Sequence, residues 1–188
     1  MTLKNSLVPS CRTALLCASV SLVLVLASAC SPKFNWRQVQ GNDAPFSVLL
    51  PAKASTFSRA VDLDGIKLNM TMTAAEVGDV VFAVGSAKLN DPDQAAPAIQ
   101  AMKTALVKNI NGSVKSETAN VASGGSQGTV SKIDIEALGP AENTGQPKVL
   151  FAHLEAKGQY IYQVIVIGPQ KAVSTENVET FMQSFKAS

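Results

Sequence analysis

Residues 160–167, Tyr-Ile-Tyr-Gln-Val-Ile-Val-Ile, constrain the fold more than any other part of the chain. Side chains alternate between the two faces of a β-strand, and this segment is apolar on both faces. Such a strand belongs in the middle of a sheet that is covered on both sides. Residues 148–156 predict a second strand, and Gly158 and Gln159 between the two segments predict a hairpin.

Six further segments have the composition of strands. The clearest is 68–74, in which apolar and polar side chains alternate strictly, as in a strand buried on one face only. The weakest is 56–61. The remaining segments are 46–51, 80–84, 114–122 and 129–138.

Two amphipathic helices are predicted between and after these strands. The first follows two candidate N-caps, Asp91 and Asp93, and ends at Asn111 and Gly112. Its apolar stripe consists of Ile99, Met102, Leu106 and Ile110. The second follows the N-cap Ser174. Its stripe consists of Val178, Phe181, Met182 and Phe185. Together these elements predict an α+β fold: a single antiparallel β-sheet covered by two amphipathic helices, in an α/β/α arrangement.

The first 30 residues have the layout of a secretory signal. Lys4 and Arg12 precede an uncharged stretch, residues 13–29, and small residues lead directly to Cys30. Residues 26–30, Leu-Ala-Ser-Ala-Cys, resemble the lipobox of bacterial lipoproteins. The resemblance implies a diacylglycerol on the Cys30 sulfur and cleavage between Ala29 and Cys30. The alternative is an uncleaved transmembrane anchor, for which the stretch is at the lower limit of length in a bilayer core of ~30 Å.

The resulting organisation has three parts. Residues 1–29 are the lipoprotein signal peptide, 30–35 are the lipidated N-terminus with a short tether, and 36–188 are one α/β domain. The resemblance also implies a location in the bacterial cell envelope, anchored by the lipid on Cys30 and facing the periplasm. Ser31 follows the lipidated position where retention in the inner membrane would favour an acid, so the outer membrane is slightly favoured.

The domain itself resembles the PsbP-type α/β/α domains that also occur in envelope lipoproteins such as DcrB. The resemblance rests on residues 46–51 (Phe-Ser-Val-Leu-Leu-Pro), on 160–167 followed by Gly168 and Pro169, and on 181–186 (Phe-Met-Gln-Ser-Phe-Lys). It implies a binding or accessory module, because such domains mostly serve in that way and fold alone does not determine function.

Charge and cysteine content exclude several function classes. The chain has 16 Lys and Arg and 14 Asp and Glu. Because Lys4 and Arg12 leave with the signal, acids and bases balance at 14 each, which argues against nucleic acid as a partner. Cys11 and Cys17 also leave with the signal, and Cys30 is capped by lipid. No disulfide, thiol nucleophile or thiolate metal site is therefore expected.

The candidate reactive side chains are few. His153 is the only histidine, and it is expected in a strand beside Phe151 and Glu155. Two roles are open for this side chain. It is either an ordinary packed or exposed residue, or it acts as a general base or metal ligand. Two carboxylate pairs, Glu76 with Asp79 and Asp134 with Glu136, are interpreted as solvated surface groups.

Two loops approach known motifs and fail them. Residues 62–65, Asp-Leu-Asp-Gly, resemble the start of a calcium loop, but no closing glutamate follows at the required spacing. Residues 124–128 are glycine-rich, but they lead into a predicted strand and lack the Gly-Lys-Ser/Thr of a phosphate loop. Both are interpreted as turns, and neither a metal nor another cofactor is expected.

These observations predict a non-catalytic envelope lipoprotein that binds a protein partner near the membrane. The alternative is a small-ligand carrier with an apolar pocket between sheet and helix. A third hypothesis, an unrecognised hydrolase, requires a cleft in which His153 or carboxylates cluster with shifted pKa values.

Overall fold

The computed structural model describes residues 33–123, 129–141 and 145–188. Over these residues the chain forms ten β-strands and two α-helices. The strands are β1 (Arg37–Gly41), β2 (Phe46–Leu50), β3 (Ser55–Leu63), β4 (Ile66–Val77), β5 (Val80–Lys88), β6 (Ser113–Ser123), β7 (Thr129–Ala141), β8 (Pro147–Lys157), β9 (Tyr160–Pro169) and β10 (Lys186–Ala187). The helices are α1 (Ala95–Asn109) and α2 (Thr175–Ser184).

Seven of the strands form one antiparallel sheet with the order β3-β4-β5-β9-β8-β7-β6. The two-faced apolar strand β9 lies fourth of the seven, as its composition predicts. Ile161 and Ile165 are buried on one face of this sheet, and Tyr162, Val164 and Val166 are buried on the other.

Helix α1 covers the first of these faces. Its buried side chains are Ala98, Ile99, Met102 and Leu106. They share one core with Leu63, Met70, Met72, Ala83, Ile133, Ile135, Leu150, Leu154, Ile161 and Ile165 of the sheet. A short 3-10 turn, Pro92–Gln94, precedes the helix, and Asp91 Oδ1 accepts a hydrogen bond from the Asp93 backbone N–H at 2.9 Å. Asp91 therefore caps this turn and not the α-helix itself.

The opposite face is covered by a second layer that contains helix α2 and a small sheet with the order β1-β2-β10. The predicted single sheet covered by two helices is therefore wrong, because the domain has two sheets. In β2, Phe46, Val48 and Leu50 are buried and pack with Phe82, Val164 and Phe181. The two strands that flank β2 carry little pattern: β1 reads Arg-Gln-Val-Gln-Gly, and β10 has two residues.

Strand β4 shows the predicted alternation and continues beyond it. Met70 and Met72 are buried in the core on the α1 side, whereas Asn69 and Thr71 belong to the other face. Glu76 and Val77 also belong to the strand. The turn is formed by Gly78, which has a positive φ of 62°, and the residue after it.

Helix α2 begins directly after Ser174, as predicted. The Ser174 carbonyl accepts from the Val178 N–H at 3.0 Å, but the serine hydroxyl makes no capping hydrogen bond. Phe181 of α2 is fully buried, and its ring meets Phe82 edge to face at 5.5 Å. Across the described ranges, no helix combines the length and apolar character needed to span a bilayer.

Candidate functional site

The predicted lipid attachment residue Cys30 and the cleavage position at Ala29 lie outside the described residues. From Phe34 onward the chain is part of the folded domain. The Asn35 N–H donates to the Pro51 carbonyl at 2.7 Å, and Trp36 meets the ring of Phe82 at 6.1 Å. The domain therefore begins within a few residues of the proposed anchor.

The described residues bring four charged side chains into one row on the sheet face that carries the second layer. The register of β7 and β8 places Asp134 opposite His153 and Lys132 opposite Glu155. His153 Nδ1 lies 2.7 Å from Asp134 Oδ1, and its Nε2 lies 3.2 Å from Glu155 Oε2. Lys132 Nζ lies 3.2 Å from the same Oε2. We call Lys132, Asp134, His153 and Glu155 the His153 cluster.

The cluster holds His153 in its charged form. Burial alone lowers the pKa of the imidazole, but the hydrogen bonds to Asp134 and Glu155 and their negative charges outweigh burial and raise the pKa to about 9. Burial raises the pKa of Glu155, yet the hydrogen bond from His153 and the charge of Lys132 leave that pKa lowered overall. At neutral pH the row therefore alternates in sign.

In this geometry His153 is not placed to act as a general base. A general base needs a free nitrogen lone pair at the working pH, and both ring nitrogens of His153 face carboxylates. A metal ligand must be a neutral imidazole, whereas this one is protonated at neutral pH. Among the described residues, no group of three or more His, Cys, Asp or Glu is placed to hold a metal ion.

The surroundings of the cluster indicate a structural role. The imidazole lies 5.9 Å from the ring of Phe185, the residue between α2 and β10, and Phe185 lies 5.5 Å from the ring of Tyr162. The Tyr162 hydroxyl donates to the Pro45 carbonyl at 2.9 Å. Lys157 Nζ donates to the Ala187 carbonyl at 3.2 Å. The cluster and its neighbours therefore hold the C-terminal residues against the seven-stranded sheet.

The carboxylate pairs of the sequence analysis do not act as pairs. Asp134 bonds His153, whereas Glu136 bonds Lys115 at 2.8 Å. Glu76 is exposed at the end of β4, and Asp79 is exposed in the following turn. Each member of the second pair is thus bonded to a basic side chain on a neighbouring strand.

A turn lies within residues 62–65, as predicted: Asp62 and Leu63 end β3, and Asp64 and Gly65 form the turn. Asp62 Oδ1 accepts from the Gly65 N–H at 2.6 Å, and Asp64 and Gly65 both have positive φ. Asp62 thus satisfies a backbone donor within its own turn. Residues 124–128, the glycine-rich segment, lie outside the described residues.

A polar groove of about 980 Å³ lies over β3, β4 and β5. Its floor includes Ser58, Thr71 and Ser86, which are neighbours across β3, β4 and β5. Asp43, from the turn after β1, lies 3.4 Å from the Thr71 hydroxyl through its Oδ2. Both acidic and basic side chains border the groove, so no single charge predominates there.

A smaller, mostly apolar groove lies between helix and sheet. It measures about 300 Å³ and is formed where the start of α1 faces β6 and β7. Its polar lining residues are Gln100, Ser131 and Lys132. The Lys132 ammonium itself lies on the other face of the sheet, where it pairs with Glu155. The apolar lining of the groove consists of Ala96, Pro97, Ile99, Ala119, Val121 and Ile133. Val121 is 75% exposed, so the groove is open to solvent at the β6 side.

No protein-family model matches this chain, and a comparison with curated proteins returns no significant match.

Proposed function

We propose that this protein is a lipid-anchored lipoprotein of the bacterial cell envelope, and that its domain is a non-catalytic module that binds a protein partner. One observation carries the proposal: Cys30 follows Leu-Ala-Ser-Ala directly and is the only cysteine after that point in the chain. In the proposed anchor, the sulfur of Cys30 is the atom that accepts the lipid.

The energetics of attachment support this arrangement. Each buried CH₂ contributes about 0.8 kcal/mol, and one acyl chain alone binds a membrane only marginally. A diacylglycerol on Cys30 supplies two chains, so stable anchoring needs no basic patch. This agrees with a domain whose acidic and basic side chains balance. The four residues from Cys30 to Lys33 reach at most about 14 Å, which keeps the domain near the bilayer.

The state of the single histidine supports a binding role over a catalytic one. In the His153 cluster both ring nitrogens are engaged, and the imidazole connects carboxylates of neighbouring strands. This arrangement stabilises a folded surface. We propose that the partner is another protein of the envelope and that the domain faces the periplasm, with the outer membrane favoured by Ser31.

Metabolic labelling with a tagged fatty acid tests the anchor. Wild-type protein and the Cys17→Ala variant should both incorporate the label and sediment with membranes, because Cys17 lies within the signal. The Cys30→Ala variant should incorporate none, because it lacks the acceptor sulfur. Equal labelling of Cys30→Ala and wild type would refute the proposed attachment site.

Purification from solubilised envelopes tests the partner. Wild-type protein should retain one envelope protein in stoichiometric amount, identified by mass spectrometry. Recovery of the chain alone, under conditions that preserve known membrane complexes, would count against a partner-binding role.

The second candidate function is a small-ligand carrier, and the apolar groove beneath α1 favours it. Its volume of about 300 Å³ lies at the lower end of the range typical of ligand sites, and the polar side chains of Gln100 and Ser131 border it. Binding of an apolar fluorescent probe that is lost in Ala119→Phe, which fills the groove, but kept in Asn120→Phe, on the opposite face of β6, would support a carrier.

A further inference from the structure

The two edges of the seven-stranded sheet differ in how they are protected. Within the described residues, β3 and β6 each pair with a strand on one side only. An exposed edge presents unpaired backbone N–H and C=O groups, and proteins commonly protect such edges with lysines, prolines or bulges. Strand β6 has two of these features: a bulge between Val114 and Ser116, and Lys115 at the bulge.

Strand β3 has none of them. Its pairing with β4 runs without interruption from Ser55–Ala74 to Leu63–Ile66, and its sequence contains neither lysine nor proline. Residues 55–60 are all exposed, and Phe57 keeps 52% of its surface accessible. This edge is therefore regular and partly apolar, and its charged side chains are Arg59 and Asp62. A regular edge with exposed backbone groups can accept another strand.

We propose that β3 pairs antiparallel with β3 of a second copy of this chain, joining two seven-stranded sheets across a two-fold axis at Ala60. In this register Phe57 lies opposite Leu63 of the second copy, so apolar groups meet on the α1 side. Ser58 lies opposite Asp62 of the second copy, so a hydroxyl meets a carboxylate on the other side. Each contact occurs twice.

Electrostatic repulsion favours this register over the one in which the two-fold axis passes through the adjacent residue, Arg59. A two-fold axis at Arg59 would place the two guanidinium groups directly opposite one another, which is destabilising. With the axis at Ala60, each Arg59 lies opposite the aliphatic Val61 of the other copy. The side chains of β3 therefore complement those of a second β3 strand when the two-fold axis passes through Ala60.

The symmetry also fits the proposed anchor, and only this step rests on the proposed function. Phe34 and Trp36 pack on Phe82, on the sheet face that carries the second layer. A two-fold axis perpendicular to the sheet leaves that face on the same side in both copies. Both chains therefore leave the dimer toward one bilayer.

The dimer is expected to be weak in solution. Stable interfaces usually bury about 800 Å² on each partner, and one pair of edge strands provides less. Attachment of both copies to one membrane raises their effective concentration and favours pairing.

Sedimentation of the full chain, purified in detergent, tests the pairing. Wild-type protein should sediment as a dimer at about 50 μM, which corresponds to a micromolar dissociation constant. Ala60→Lys should weaken the dimer at least tenfold, because it places two charges at the axis. Asn120→Lys is the matched control on the other edge, since Asn120 is also exposed in an edge strand, and it should leave the dimer unchanged.

A cysteine at the axis gives an independent measurement. Directly opposite residues in antiparallel strands have Cα atoms 4.5–5.5 Å apart, within the range of a disulfide. Ala60→Cys should therefore form a covalent dimer on mild oxidation, whereas Asn120→Cys and wild type should not. A monomeric wild type at about 100 μM, or equal cross-linking of the two cysteine variants, would overturn the proposal.

The intact mass of the same sample separates this inference from the anchor. A lipidated monomer would refute the pairing and leave the anchor in place. An unlipidated dimer would refute the anchor and leave the pairing in place.

Discussion

At the scale of single residues, His153 links the charge state of the domain to its packing. The imidazolium lies between Asp134 and Glu155 and contacts the ring of Phe185. Its side chain is 16% exposed, so its ion pairs are only partly screened by solvent. Loss of its charge would leave two carboxylates facing a neutral ring.

The pH dependence of stability follows from this arrangement. Because the pKa of His153 rises from 6.5 to about 9 on folding, its contribution is complete below pH 6.5 and is lost as the pH rises through about 9. We expect the free energy of unfolding in urea to fall by about 2–3 kcal/mol more in wild type than in His153→Gln between pH 6 and pH 9.5. Parallel pH profiles of the two proteins would contradict this assignment.

The sequence places Glu155 beside His153 on one strand, but it does not identify Asp134 as a partner on the neighbouring strand. Alternation along β7 and β8 placed Asp134, His153 and Glu155 on definite faces. Which of them stand opposite one another depends on the strand register, and the register depends on the connection between β7 and β8, whose length the composition does not define. The ion pairs therefore required the structure.

At the scale of elements, strong periodicity was a reliable guide and short strands were not. The two-faced strand β9, the alternating strand β4 and the stripe of α1 were all recognisable from residue spacing. Strands β1 and β10 were not recognisable, because they form by pairing with β2 and their own sequences carry no strand pattern. Missing these two strands is why one sheet was predicted where two exist.

Helix α2 depends on one aromatic side chain to join the two layers. Phe181 is fully buried against Phe82. We expect Phe181→Ala to destabilise the domain by about 3–5 kcal/mol, because it removes a large buried ring and leaves a cavity. Gln183→Ala, an exposed position in the same helix, should change stability by less than about 0.5 kcal/mol. Equal midpoints of urea unfolding for the two variants would show that α2 does not hold the layers together.

At the scale of the whole molecule, the described domain is a seven-stranded sheet with one hydrophobic core on each face. The proposed anchor, Cys30, lies four residues before Phe34, the first residue of the domain. The folded domain contains three of the features described above: the alternating charges of the His153 cluster, the regular edge strand β3, and Phe34 packed on Phe82. The proposed attachment of that domain to a membrane depends on Cys30, which lies outside the described residues.

The mass of the native protein, purified from membranes and measured intact, tests that claim most directly. We expect a chain that begins at Cys30 and is heavier than its amino-acid sequence by at least a diacylglyceryl group. A chain that still begins at Met1, or one that begins at Cys30 with an unmodified thiol, would contradict the account.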